Sequence, residues 1–255
     1  MKAIWRGWLS FGLINIPVNL YSGVKEKELK FHLLHEKDRS TVRYARICKK
    51  EDKEVPWEEI VKGYELENGD IIILADEDFE KAASEQTKRI EIQDFTALEE
   101  IDPIYFAKPY ILEPQKGAAK AYALLREALK ESGKVGVAKF VLRNQEHLGV
   151  IKPYKEFMIL DQLRFAHEIR DYKVLNIPKE EKGSKKELEM AIKLIDQLST
   201  TFDPKSYKDT YREEMIKVIK AKAKGKRIKA PKKAHTKATK SEDFVKVLQA
   251  SLRAS

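Results

Sequence analysis

The chain has 255 residues, 36% of them charged and 42% hydrophobic, with a formal net charge of +9 and one cysteine. That length holds one large domain or two small ones, and no apolar run approaches the ~20 residues of a membrane helix. Cys48 has no internal disulfide partner, which fits a reducing cytosol, and the opening residues lack the three regions of a secretory leader, so none is expected. The charge is segregated. Nine basic residues and no acid fall within 222–240, leaving 41 basic against 41 acidic elsewhere. A neutral body with one cationic tail calls for a polyanionic partner, nucleic acid first among them.

The chain opens on Ile4-Trp5-Arg6-Gly7, followed by Ser10-Phe11-Gly12-Leu13-Ile14-Asn15-Ile16-Pro17-Val18 and Leu20-Tyr21-Ser22. Ile14, Ile16, Val18 and Leu20 alternate with polar residues, the mark of a half-buried strand. Pro17 assigns it to an edge, a bulge or a barrel corner, and Gly7 and Gly12 around Trp8 and Phe11 suit a sharp bend. Further strands are expected over 30–36, 41–48, 71–74 (buried), 88–95, 104–112, 135–143 and 157–163. Pro56 opens a short helix that Gly63 caps, and Asp76 caps another through about Ser84. Over 118–131, Ala121, Leu124, Leu125, Ala128 and Leu129 keep a helical period that Gly133 ends. Many short strands with turns between them favour a barrel or sandwich over a layered α/β fold.

From Ser184 the pattern is helical. Ser184 and Glu187 form a capping box, with Leu188, Ala191, Ile192, Ile195 and Leu198 as one stripe. Asp203-Pro204 opens a second helix carrying Tyr207, Tyr211, Met215, Val218 and Ile219, with Gly225 at its end. Two such helices need a surface to cover. Their own barrel and a second copy of the chain both qualify on pattern alone.

Residues 221–240 have too little apolar surface to fold and read as disordered. Their cations, Lys222, Lys224, Lys226, Arg227, Lys229, Lys232, Lys233, Lys237 and Lys240, suit phosphate contacts without base stacking. Binding through them is sequence-independent and salt-sensitive, falling by about 0.9 log units per phosphate contact per log unit of salt. Beyond them Ser241, Glu242 and Asp243 open a last amphipathic helix, and its Phe244, Leu248 and Leu252 read as a partner-docking face.

Catalytic signatures are missing. No phosphate-cradling glycine loop, dinucleotide fingerprint or nucleophile elbow occurs, nor the Lys-x-Asp-Gly of nucleotidyltransferases. His32 and His35 lack further ligands for zinc. Asp76, Glu77 and Asp78 read as a helix start rather than a nuclease metal site. The expectation is a non-enzyme with no catalytic residue, metal or cofactor.

The opening motif closely resembles that of the bacterial Ku proteins, the DNA-end-binding proteins of non-homologous end joining. The resemblance continues through Lys53-Glu54-Val55, Glu59-Ile60-Val61-Lys62-Gly63-Tyr64-Glu65, Glu100-Ile101-Asp102-Pro103-Ile104-Tyr105-Phe106 and Lys108-Pro109-Tyr110. It extends to Ala121-Tyr122-Ala123-Leu124-Leu125-Arg126-Glu127-Ala128-Leu129, Ser132-Gly133-Lys134-Val135 and Arg164-Phe165-Ala166-His167-Glu168-Ile169-Arg170-Asp171, where His167 departs from an expected aspartate.

The resemblance implies a mainly β fold with α elements: a Ku-type β-barrel whose bridging strands close a ring in a homodimer, plus a helical arm embracing the partner. The divisions expected are a barrel and bridge over 1–183, an arm over 184–225, a basic linker over 226–240 and a docking helix over 241–255. Such a ring threads onto double-stranded DNA ends, reads phosphate and shape, and recruits an ATP-dependent DNA ligase. The setting is the bacterial cytoplasm and nucleoid, with no membrane partner. Arg43, Arg46, Lys49, Lys50, and Lys139 with Arg143 on one strand face, are the cations expected on the inner wall. The alternatives are a general nucleoid-associated protein acting through its tail, a metal-dependent nuclease, and a structural dimer whose DNA affinity lies in the tail.

Overall fold

The computed structural model describes residues 1–25, 29–82, 88–177, 184–226 and 244–254. They fall into two compact units, Met1–Tyr172 and Lys173–Ser255.

The first unit is built on a closed seven-stranded barrel. Its strands are β1 (Trp5–Phe11), β2 (Ile14–Ser22), β5 (Arg89–Ala97), β6 (Phe106–Pro114), β7 (Lys134–Leu142), β8 (Gln145–Tyr154) and β9 (Phe157–Leu163), in the order β1-β2-β6-β9-β8-β7-β5. All neighbours run antiparallel except the closing pair, where β1 meets β5 in parallel with Leu9 opposite Ile90. The mainly β, barrel-centred expectation is borne out.

Alternation builds the interior. Ile16, Val18 and Leu20 of β2 are fully buried, as are Leu9, Ile90, Leu112, Ile151, Met158 and Leu160. Ile14, expected on the same face, is exposed beside the hairpin. Pro17 has no N–H to give. Opposite Trp8 of β1, the Pro17 carbonyl accepts Gln115 N–H at 2.9 Å, just beyond the last β6 pairing of Pro114 with Val18, so the proline sits where the β2–β6 ladder ends. Trp5–Phe11 is a continuous strand rather than a sharp bend. The turn sits only at Gly12, whose φ of +54° suits glycine. Gly7 stays mid-strand, where a Cβ would collide with the Trp5 ring and the Lys88 carbonyl oxygen.

Helix α2 (Ala119–Ser132) closes one end of the barrel. Tyr122, Leu125 and Leu129 turn inward, and Gly133 caps the helix in the left-handed conformation. Leu124, expected inside, is exposed. The Tyr122 hydroxyl donates to the Leu112 carbonyl at 2.7 Å and accepts the Met158 N–H at 2.6 Å. It thereby ties α2 to β6 and β9 where those strands pair. Burial raises the Tyr122 pKa, so the hydroxyl stays protonated as this double role requires.

Residues 29–82 leave this core. The strands expected over 30–36 and 41–48 do not form; two isolated bridges, Leu34 with Thr41 and Ile47 with Glu54, take their place. The helix expected after Pro56 is a single 3-10 turn, Trp57–Glu59, and Gly63 lies in a strand instead of capping it. That strand, β3 (Lys62–Glu65), pairs with β4 (Ile71–Leu74), and Gly69 at φ +88° makes the turn. β4 is a strand as expected but an exposed one. Helix α1 is Asp76–Ala82, with Asp76 in its first turn.

In the second unit, α3 (Lys185–Leu198) starts at the expected capping box. Glu187 N–H donates to the Ser184 hydroxyl at 3.3 Å and Ser184 N–H to the Glu187 carboxylate at 2.6 Å. Helix α4 (Thr210–Ala223) begins later than the sequence suggested. Asp209 caps it through Arg212 N–H at 2.9 Å, while the Asp203-Pro204 segment forms only a turn. Helix α5 (Phe244–Ala254) lies beside α3.

Candidate nucleic-acid interface

Four of the cations singled out in the sequence share the arm formed by residues 29–74. Backbone hydrogen bonds fold 46–55 into a narrow hairpin: Val55 N–H to the Arg46 carbonyl at 2.7 Å, and Cys48 N–H to the Lys53 carbonyl at 2.8 Å. Lys49 and Lys50 occupy its tip. Arg46 stacks its guanidinium over the Trp57 ring at 4.3 Å, and Arg43 pairs with Glu54 at 3.4 Å. Trp57 and Glu54 thus aim the two arginines, a role the sequence reading missed because neither partner is at helical or strand spacing from its arginine. The arm itself carries Phe31, Tyr44, Trp57, Ile71 and Ile73 largely uncovered, Tyr44 at 89% exposure. Hydrogen bonds from the Glu51 and Lys50 backbone N–H groups hold the Cys48 thiol below its ordinary pKa.

At the start of the arm, Asp38 organises a tight turn. It accepts the Ser40 N–H at 3.0 Å and hydroxyl at 2.8 Å and meets His35 Nδ1 at 3.0 Å. Its carboxyl is held below the usual range, chiefly by the Ser40 N–H. His35 is therefore engaged locally, and His32 and His35 do not share a strand. Asp76 pairs with Lys62 at 3.3 Å, and Asp78 accepts the Ala75 N–H at 3.0 Å, the contacts of a helix start.

On the barrel, Lys139 faces Glu146 across the β7–β8 ladder at 3.4 Å. Arg143 does not share its strand, because β7 ends at Leu142. Arg143 and Asn144 form the hairpin turn with φ of +55° and +62°. Among the described residues, no hydrogen bond or ion pair links these two cations to those of the arm. His167 stacks on Phe165 with centroids 5.6 Å apart, and Glu168 caps that turn by accepting Phe165 N–H at 2.6 Å.

Lys222 lies in the last turn of α4, where a cation complements the helix dipole, and Lys224 and Lys226 belong to its closing turn around Gly225 at φ +70°. The ordered helix end thus reaches further than the disordered reading of 221–240 allowed. Arg227, Lys229, Lys232, Lys233, Lys237 and Lys240 lie outside the described residues, as do Ser241, Glu242 and Asp243. On α5, Leu248 is buried and Leu252 half-buried within the second unit; the Phe244 side chain is outside the description. No helix among the described residues is long and apolar enough to cross a membrane.

Comparison with known proteins assigns the barrel to a family. Residues 10–190 match the family model described as the Ku70/Ku80 beta-barrel domain. The chain is 43% identical over 255 residues to the "Non-homologous end joining protein Ku" of Opitutus terrae, covering 99% of this chain and 91% of that one. It is 37% identical to the protein of the same name from Bacillus subtilis, over 99% of this chain and 82% of the relative. With the Archaeoglobus fulgidus protein, also so named, it shares 40% over 89% and 90%. This chain belongs to the Ku family.

Proposed function

We propose that this protein binds double-stranded DNA ends in non-homologous end joining. It acts as a homodimer that threads onto the duplex and presents the end to a ligase. Its role is binding and not catalysis. The observation that carries the reading is the arm: some fifty residues with large apolar side chains exposed and cations mounted between them. An apolar surface of that extent on one protomer needs a cover, and a second copy supplies it while leaving the exposed Arg43, Arg46, Lys49 and Lys50 able to reach phosphates. The exposed Leu188, Ile192, Ile195 and Leu198 of α3 add a second surface for the same partner. The basic tail adds electrostatic affinity that is blind to sequence. For Phe244, Leu248 and Leu252 to dock a ligase, α5 must first lift from α3, because Leu248 is covered there.

Topological trapping tests the ring. The full chain is loaded on a linear duplex, the duplex is ligated into a circle, and high salt is applied. Retention on the closed circle with release from the linear form supports a threaded dimer. Equal release from both would favour a general nucleoid protein that holds DNA through its tail.

A further inference from the structure

The barrel has two different ends. Along β6, Leu112 faces α2, whereas Lys108, four residues back and ~13 Å away along the strand, stands at the other end. There the inward register stops being apolar. Past Val18 and Leu20 it delivers Ser22; before Tyr110 it delivers Lys108. Before Gly149 it delivers His147 and Gln145, and after Met158 and Leu160 it delivers Gln162. These side chains, with Lys2 and Arg143, line an open cleft of about 580 Å³.

The floor is built. The buried Tyr110 hydroxyl donates to Gln162 Oε1 at 3.2 Å, and Gln162 Nε2 donates to His147 Nδ1 at 3.0 Å. An amide nitrogen only donates, so His147 Nδ1 is the acceptor and the ring's Nε2 carries a proton to offer. Arg143 reaches the cleft from a left-handed turn conformation that bulky residues adopt at a cost. Among the described residues, no carboxylate lines the cleft, and Lys2, Lys108 and Arg143 have no ion-pair partner.

We propose that this open end of the barrel is a binding site for a phosphate-bearing anion. Three unpaired cations around neutral donors suit a multiply charged oxyanion, and the volume admits two linked phosphoryl groups. The phosphate belongs either to nucleic acid or to a free phosphorylated molecule. Arg143 is also among the cations expected on the inner wall, but binding of pyrophosphate needs no DNA end, so its failure is distinguishable from failure of the end-binding proposal.

Isothermal titration of the full chain with pyrophosphate at fixed ionic strength tests it. Saturable binding of one pyrophosphate per protomer is expected, weakened about tenfold by Lys108→Gln and by Arg143→Gln. Lys120→Gln, an exposed change on α2, should leave it intact. Absence of saturable binding, or equal weakening by all three substitutions, would overturn the proposal. A 5′-phosphorylated duplex added to the loaded protein separates the sources. Displacement of pyrophosphate, lost in Lys108→Gln, assigns the site to nucleic acid; simultaneous binding assigns it to a free phosphorylated molecule. Either result supports the site.

Discussion

The barrel and the arm both carry apolar strands and treat them in opposite ways. In β2, Ile16, Val18 and Leu20 turn inward and reach zero exposure; in β4, Ile71, Ile72 and Ile73 remain open to solvent. The difference lies in the neighbours. β2 is paired on both sides in a closed sheet, while among the described residues β4 has only β3 beside it, and Ile71, Ile72 and Ile73 stay exposed. A two-stranded ribbon with nothing packed on it is marginal in water. The barrel is thus complete within one protomer, whereas the arm leaves apolar side chains uncovered, the surface that the homodimer proposed above would bury.

That contrast can be broken most forcefully in the barrel. Leu160→Ala removes a fully buried side chain from the core and should cost about 2–5 kcal/mol, seen as a lower denaturant midpoint that does not depend on protein concentration. Tyr122→Phe strands the Leu112 carbonyl and the Met158 N–H where α2 is tied down. It should cost about 2–3 kcal/mol in the same assay. Neither change should alter the self-association of the folded fraction.

The arm should respond in the reverse sense. Ile73→Asp should leave the barrel's unfolding midpoint nearly unchanged and weaken self-association at least about tenfold by sedimentation, since a charge would be buried at the contact. A large drop in the barrel's own stability would show that the arm belongs to the barrel core. Arg46→Gln loses the stack on Trp57 and, on the proposed reading, one phosphate contact, so the salt slope of DNA binding should become shallower by about one unit.

The smallest effect lies at α3. Ser184→Ala removes the cap and should cost about 1 kcal/mol of local helix stability. Hydrogen bonds from the Ser184 side chain and backbone lower the Glu187 pKa. A carboxyl whose folded pKa is depressed stabilises fully above its ordinary range and loses that contribution as pH falls through the folded value. Helicity of wild-type α3 should therefore fray on acidification below the ordinary glutamate range, and less so in Ser184→Ala.

Legibility in the sequence followed local completeness. The β2 period, the α2 helix with Gly133 and the Ser184–Glu187 box are written in contiguous residues and appear where the pattern put them, except that Ile14 and Leu124 face solvent. The strands expected over 30–36 and 41–48 failed because alternation of Phe31 with Leu33, or Val42 with Tyr44, reports a half-buried extended segment without saying what buries it. β8 escaped notice because Gly149, Lys152 and Pro153 interrupt its period, although pairing on both flanks holds it in place. Asp209 took the cap from Asp203 because its carboxylate reaches the Arg212 N–H. Of the site, the cationic residues were visible and their partners were not: Glu54 and Trp57 meet Arg43 and Arg46 only after the hairpin folds. The polar inward face at Lys108, His147 and Gln162 required the barrel register and could not be read from spacing.

The central claim is that DNA enters through its end, into the arms and barrels and not onto the tail. A gel shift with residues 1–225 tests it most directly, comparing one linear duplex with the same sequence as a closed circle at near-physiological salt. The account predicts a shift of the linear form alone. Equal shifts of both forms, or of neither, would contradict it.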